Sequence, residues 1–130
     1  MIGDVLETGH LASDSPACGV VYFGGGTPKN FVQQTEVTAA FVRNSTGGHK
    51  YAVQVITDSL QWGGLLGCTL EEAQSSGKMV HDASMVTVHC DSTIVMPMVV
   101  SALSKNTPLL RKRKKPVFRL GRELKFSFPR

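Results

Sequence analysis

The chain has 130 residues, of which 42% are apolar, and a net charge of +4; that size allows one modest domain of a soluble globular protein. The charge is divided, since residues 106–130 hold nine Lys or Arg against Glu123 alone (+8) and residues 1–105 hold five basic against nine acidic side chains (−4). No window reaches the roughly 18 apolar residues of a membrane span, and Met1 to Glu7 carries acids where a signal peptide needs positive charge, so a cytoplasmic protein without a membrane partner is expected.

The first readable element is a buried strand, Ala17 to Phe23, which meets a tight turn at Gly24-Gly25-Gly26. Lys29 to Arg43 then has few breakers and puts Phe31, Thr35, Ala39 and Val42 on one helical face. Asn44 to Gly48 ends that helix with clustered turn formers. Tyr51 to Thr57, rich in β-branched and aromatic residues, predicts a second strand. Asp58 to Cys68, with glycines at 63, 64 and 67, is too glycine-rich for a helix and reads as a loop.

Thr69-Leu70-Glu71-Glu72 has the form of a capping box, so a short helix is expected from there to about Gly77. Val86 to Cys90 predicts a third strand, with Asp91 at its carboxyl end. Ser92 to Lys105 predicts a helix, with Pro97 acceptable only in its first turn. From Asn106 the prolines and the charge run Arg111 to Lys115 leave the chain without assigned structure. The alternation of strand and helix implies an α/β fold, a Rossmann-like parallel sheet with helices on both faces. Gly24–Lys29, Thr57–Gly67 and Asp91–Ser92 should then share the rim where ligands of such sheets collect.

Cys18, Cys68 and Cys90 form no CxxC pair, and His10, His49, His81 and His89 have no ligand spacing, so buried thiols are expected and no metal site is. Gly24 to Lys29 follows a strand and opens a helix, as a phosphate loop does, but Lys29 stands where a third glycine would be; a plain tight turn fits as well. Lys78 follows a glycine at a helix end, where lysines ordinarily complement the helix dipole and only a partly neutral one attacks carbonyl carbons. One of Glu71 and Glu72 should serve the cap, leaving the other for an ammonium or for solvent. Trp62 could stack on a ligand or plug its loop onto the core. The basic run could meet phosphate backbones, but nucleic acid is not the expected partner.

Taken together, the strings FGGGTPKNF (from Phe23), YAVQVIT (from Tyr51), EEAQSSGK (from Glu71) and VHCDSTIVMPMVVSAL (from Val88) resemble deoxyhypusine synthase in order and spacing. The resemblance runs from about Val20 to Ser104 and is to the C-terminal portion, nearest the bacterial and archaeal deoxyhypusine synthase-like branch. It implies residues 1–105 as the C-terminal part of an NAD-binding domain; residues 106–130 lie outside it and are expected, from their charge and prolines, to be a basic, disordered tail. It also implies transfer of the spermidine aminobutyl group, through a covalent lysine, to a protein lysine or to putrescine, in a homo-oligomer. Carried onto this chain, Lys78 is the covalent lysine. Gly25, Thr57, Asp58, Asp91 and Ser92 line the NAD site, and Gly63 and Glu72 hold the polyamine.

Four positions depart from the family pattern. Ser76 stands where a tryptophan walls the polyamine, Asn30 where a histidine assists dehydrogenation, and Leu65 and Leu66 where polar residues meet spermidine. The family's N-terminal portion, which supplies much of the NAD pocket, has no counterpart. The chain is therefore expected to be a fragment, inactive alone, with a non-catalytic module docking on a full-length homologue as the alternative.

Overall fold

The computed structural model describes residues 2–43, 47–59, 68–119 and 125–127. In chain order they form α1 (Ile2–Asp14), β1 (Gly19–Phe23), α2 (Thr27–Arg43), β2 (His49–Ile56), α3 (Leu70–Ser75), β3 (Met79–His89), α4 (Ser92–Lys105), α5 (Thr107–Arg111), β4 (Val117–Arg119) and β5 (Lys125–Ser127). The chain divides into two compact units, Met1–Ser92 and Thr93–Arg130.

The first unit is built on a parallel sheet in the order β1-β2-β3, the α/β architecture that the alternating elements imply. Val20, Tyr22 and Ala52 point to one face and pack with Leu70 and Ala73 of α3 and with Met79. On the opposite face Val21, Phe23, Tyr51 and Val86 are 61%, 43%, 52% and 49% exposed. The register aligns Val21 with Val53 and Val53 with Val86, so these side chains lie in rows across the strands.

Helix α2 differs from its expected amphipathic face. Its buried stripe is Lys29, Gln33, Glu36 and Ala39, with Thr35 beside it, while Phe31 and Val42 are 38% and 45% exposed. The polar stripe faces inward because partners await it: the Lys29 ammonium meets the Cys68 carbonyl and Glu36 meets His49. Helix α1, to which the sequence assigned no element, packs along α2 where Gly9 is buried. A methyl group on Gly9 would stand 2.9 Å from Thr38 Cγ2, so the two helices approach too closely there for any other residue.

Strand β3 begins seven residues before its expected start. His49 pairs with Met79 and Tyr51 with Ser84, so the ladder accommodates extra residues of β3 at that step. His81, Asp82 and Ser84 break the apolar pattern there and hide the strand from sequence. Both His81 and His89 lie in β3 and are exposed. The three cysteines are free and half-buried rather than fully buried.

In the second unit, α4 continues through Pro97. The proline is the sixth residue of the helix, one turn later than expected, and offers no amide hydrogen to the ladder. The segment left without structure in the sequence contains α5, with Pro108 in its first turn, and the antiparallel pair β4–β5. None of the described helices is long and apolar enough to cross a membrane.

Candidate functional site

Two groups of residues gather at opposite ends of the sheet. At the carboxyl ends of the strands, the Gly24 amide donates to Val55 O (2.7 Å) and the Cys90 amide to Ile56 O (3.1 Å). Gln54 Nε2 also reaches Gly24 O at 3.4 Å. These bonds lock the three strand exits into one rim, which carries Gly25, Thr57, Asp58, Asp91 and Ser92. Thr57, Asp58 and Asp91 are exposed. The start of α2 follows at once, with the Asn30 amide donating to Gly26 O at 3.1 Å.

Lys78 is delivered differently. Thr69 caps α3 through a complete capping box: its hydroxyl accepts from the Glu72 amide (3.1 Å) and its amide donates to Glu72 Oε2 (2.9 Å). After one and a half turns the helix closes in a Schellman motif, with the Gly77 amide on Gln74 O (3.2 Å) and the Lys78 amide on Ala73 O (3.0 Å). Gly77 has φ +74°, a left-handed conformation that favours glycine. The Lys78 carbonyl then accepts from the His49 amide at 3.0 Å, starting the β2–β3 ladder. The main chain of Lys78 is thus fixed on both sides, at the amino end of β3.

Of the two glutamates, Glu72 is the capping partner, so one of its oxygens is committed to the helix start. Glu71 makes no such bond among the described residues. Gly63 lies outside the described residues, as do Trp62, Leu65, Leu66 and the glycine loop between them.

Between the rim and Lys78 stands a residue that the sequence did not single out as functional. Lys29 is 3% exposed, and its Nζ donates to Cys68 O at 2.7 Å. Cys68 directly precedes the Thr69 cap, so this bond ties α2 to the start of α3. Burial pushes the Lys29 amine below its ordinary pKa. The Cys68, Glu72 and Glu71 charges oppose the shift and the Lys78 ammonium adds to it. Lys29 also lines a cavity of about 180 Å³ with Val21, Tyr22, Phe23, Gly24 and Gly25. The Tyr22 hydroxyl is buried without a hydrogen-bond partner, and burial raises its pKa. The signal available in sequence was the lone lysine in the first turn of α2, next to a glycine run; what it lacked was the partner 39 residues away.

A second buried polar pair lies further along α2. Glu36 and His49 are 5% and 3% exposed, with Oε1 and Nδ1 3.2 Å apart. Burial raises the carboxyl pKa, which the Gly48 amide partly offsets, and lowers that of the imidazole, which the Val32 carbonyl partly offsets. Among the described residues no cluster of His, Cys, Asp or Glu could hold a metal ion.

The donor set of the rim suits a dinucleotide. It combines the amides at the start of a 17-residue helix with exposed carboxylates and hydroxyls. The Ser59 hydroxyl, next to Asp58, is buried without a hydrogen-bond partner.

The family model for deoxyhypusine synthase matches residues 1–103. That match includes α1, so the likeness begins well before the Val20 boundary read from sequence. A "Probable deoxyhypusine synthase 2" of Methanosarcina acetivorans is 50% identical over 117 residues, which is 90% of this chain and 34% of that protein. The protein of the same description from Archaeoglobus fulgidus is 45% identical over 90% of this chain and 38% of its own length. A "Deoxyhypusine synthase-like protein" of Elusimicrobium minutum is 39% identical over 75% of this chain. The chain therefore spans between 26% and 38% of the length of these relatives.

Proposed function

We propose, from the premise that the chain belongs to the deoxyhypusine synthase family, that it carries the covalent half of an aminobutyl transfer from spermidine to an amine acceptor, with Lys78 as the covalent amine. The observation that carries this reading is the family match over residues 1–103, which spans α3, Lys78 and the three strand exits. The structure supports it in one respect: the lysine side chain leaves a main chain that is hydrogen-bonded on both sides. That fixes the point from which the side chain starts, while its own torsions carry the amine to its target.

In this reading the rim residues Gly25, Thr57, Asp58, Asp91 and Ser92 hold NAD, which supplies oxidising and then reducing power when bound. Glu72, with Glu71 beside it, gives negative charge for a polyamine ammonium, and Gly63 belongs to the same subsite. The acceptor is a protein lysine or putrescine.

The test is a covalent trap. The chain is incubated with NAD and spermidine, alone and with a full-length relative, reduced with borohydride and mapped by mass spectrometry. An aminobutyl mass on the Lys78 peptide, absent from Lys78→Arg, is the expected result. A chain that carries no adduct under either condition rules the reading out.

A second reading, a non-catalytic module docking on a full-length relative, is favoured by the exposed apolar side chains Val21, Phe23, Tyr51 and Val86 on one face of the sheet. A contiguous exposed apolar patch of this kind ordinarily marks an interaction surface.

A further inference from the structure

We propose that Lys29 is a second working amine of this site, the base that takes the proton an aliphatic amine must lose before it is oxidised to an iminium ion. The inference rests on the aminobutyl-transfer reading and names a residue within it.

Three features of Lys29 set it apart from an ordinary helix lysine. The side chain is 3% exposed, yet no carboxylate pairs with it among the described residues. Its one hydrogen bond there goes to a backbone carbonyl, Cys68 O. A carbonyl only accepts, so it holds a neutral amine as well as an ammonium. A carboxylate partner would have locked the charge in place. Finally, Lys29 lines the cavity beside the glycine loop, whose other walls are Val21, Tyr22, Phe23, Gly24, Gly25, Pro28 and Val32. Apart from the Tyr22 phenol, none of these can exchange a proton, and the pKa of that phenol is raised by burial.

The charged groups acting on Lys29 are Cys68, Lys78, Glu72 and Glu71, and burial outweighs each of them in lowering its pKa. Asn30, the next residue, is exposed and has no titratable group. A lysine whose pKa is lowered by burial gives up its proton more readily than an exposed one, which suits it better to general-base work.

The step balances as follows. A secondary ammonium gives one N–H proton to the Lys29 lone pair, leaving a neutral amine and an ammonium on Lys29. The neutral amine then loses a hydride from the adjacent carbon to an oxidised nicotinamide, which is reduced as the iminium ion forms. Lys78 gives its own ammonium proton to solvent and, as a free amine, takes over that carbon, and the C–N bond to the departing primary amine breaks. That amine receives the proton held on Lys29, which is neutral again.

The first measurement does not need activity. Protein labelled with ¹³C at the lysine ε-carbons is titrated by NMR, and Lys29 is assigned by the resonance missing in Lys29→Arg. Lys29 is expected to titrate below the ordinary lysine value of 10.5; titration at that value overturns the proposal.

The second follows the pH dependence of the borohydride-trapped Lys78 adduct. Arginine keeps a donor for Cys68 O and a positive charge but does not give up its proton. Lys29→Arg is therefore expected to slow the adduct about 100-fold, the ordinary range for loss of a general base, and to remove the pH inflection. Full restoration by arginine means that the residue is only a clamp.

Should the arginine variant fold poorly, Lys29→Ala with added ethylamine replaces it. Recovery in proportion to the free-base concentration is expected, and no recovery at any concentration overturns the base role. Failure of the wild-type chain to form adduct at any pH removes the aminobutyl reading itself, and the base with it. The NMR titration separates that case from an ordinary, fully protonated Lys29.

Discussion

Glu36 and His49 meet at 3.2 Å in a region where both are nearly inaccessible to solvent, and their burial gives them opposite effects on stability. The folded-state pKa of His49 lies below its ordinary value of 6.5. Below that pH the unfolded chain binds more protons than the folded one, so stability contributed by His49 is lost as pH falls through 6.5. The folded-state pKa of Glu36 lies above 4.5, so its contribution is present below 4.5 and is lost as pH rises through the folded value. His49→Gln is therefore expected to flatten the loss of stability between pH 7 and 5.5. Glu36→Gln should instead remove a decline that appears on raising the pH from about 4.5. Urea unfolding at each pH measures both slopes, and slopes unchanged in both variants contradict the assignment. Neither residue stood out in the sequence. A histidine and a glutamate 13 positions apart carry no spacing signal, and their meeting depends on α2 turning its polar stripe inward. The same holds for Lys29, whose partner Cys68 lies 39 residues further on.

At the level of elements, α3 was legible to the residue at its start and nearly so at its end. The capping box is a local pattern in which the bonding residues lie three apart, and the structure shows both of its hydrogen bonds. Thr69→Ala is expected to cost about 1 kcal/mol, the ordinary value of a lost N-cap hydroxyl. Gly77→Ala has open space for its methyl group, so its cost is that of the left-handed conformation alone, about 1–2 kcal/mol. Both changes should lower the unfolding temperature by a few degrees. Gly77→Ala should also lower Lys78 adduct formation more than Thr69→Ala does, because it acts at the turn next to Lys78. Equal losses would place the effect in general stability. β3 was half legible, because its last residues alternate as a strand should while its first ones pass through the irregular step opposite His49 and Tyr51. Helix α1 was missed: Gly3 and Gly9 weaken its helical pattern, and Gly9 is there for the close approach to α2.

At the scale of the whole molecule, the sequence showed the parallel α/β class because strands and helices alternate, a property that survives errors at their ends. What it could not show was which of its apolar strand residues are exposed. Val21, Phe23, Tyr51 and Val86 look like core residues in sequence, and they are 43–61% exposed in this chain. A charge placed there tests what the face is for. Val21→Asp is expected to change the stability of the isolated chain by no more than about 0.5 kcal/mol, as exposed substitutions ordinarily do. If the face docks on a full-length relative, the same change abolishes co-sedimentation with it. Co-sedimentation that survives the change places any docking surface elsewhere.

The pinning of Lys78 also bears on time. With its amide held by Ala73 and its carbonyl by His49, the residue can redirect its amine only by turning its own side-chain torsions. Such rotamer exchange takes picoseconds to nanoseconds for an exposed side chain, and Lys78 is half-buried. A phase of milliseconds or longer in the chemistry of this lysine therefore reports bond making, proton transfer or the arrival of a partner, and not a search by its main chain for the target.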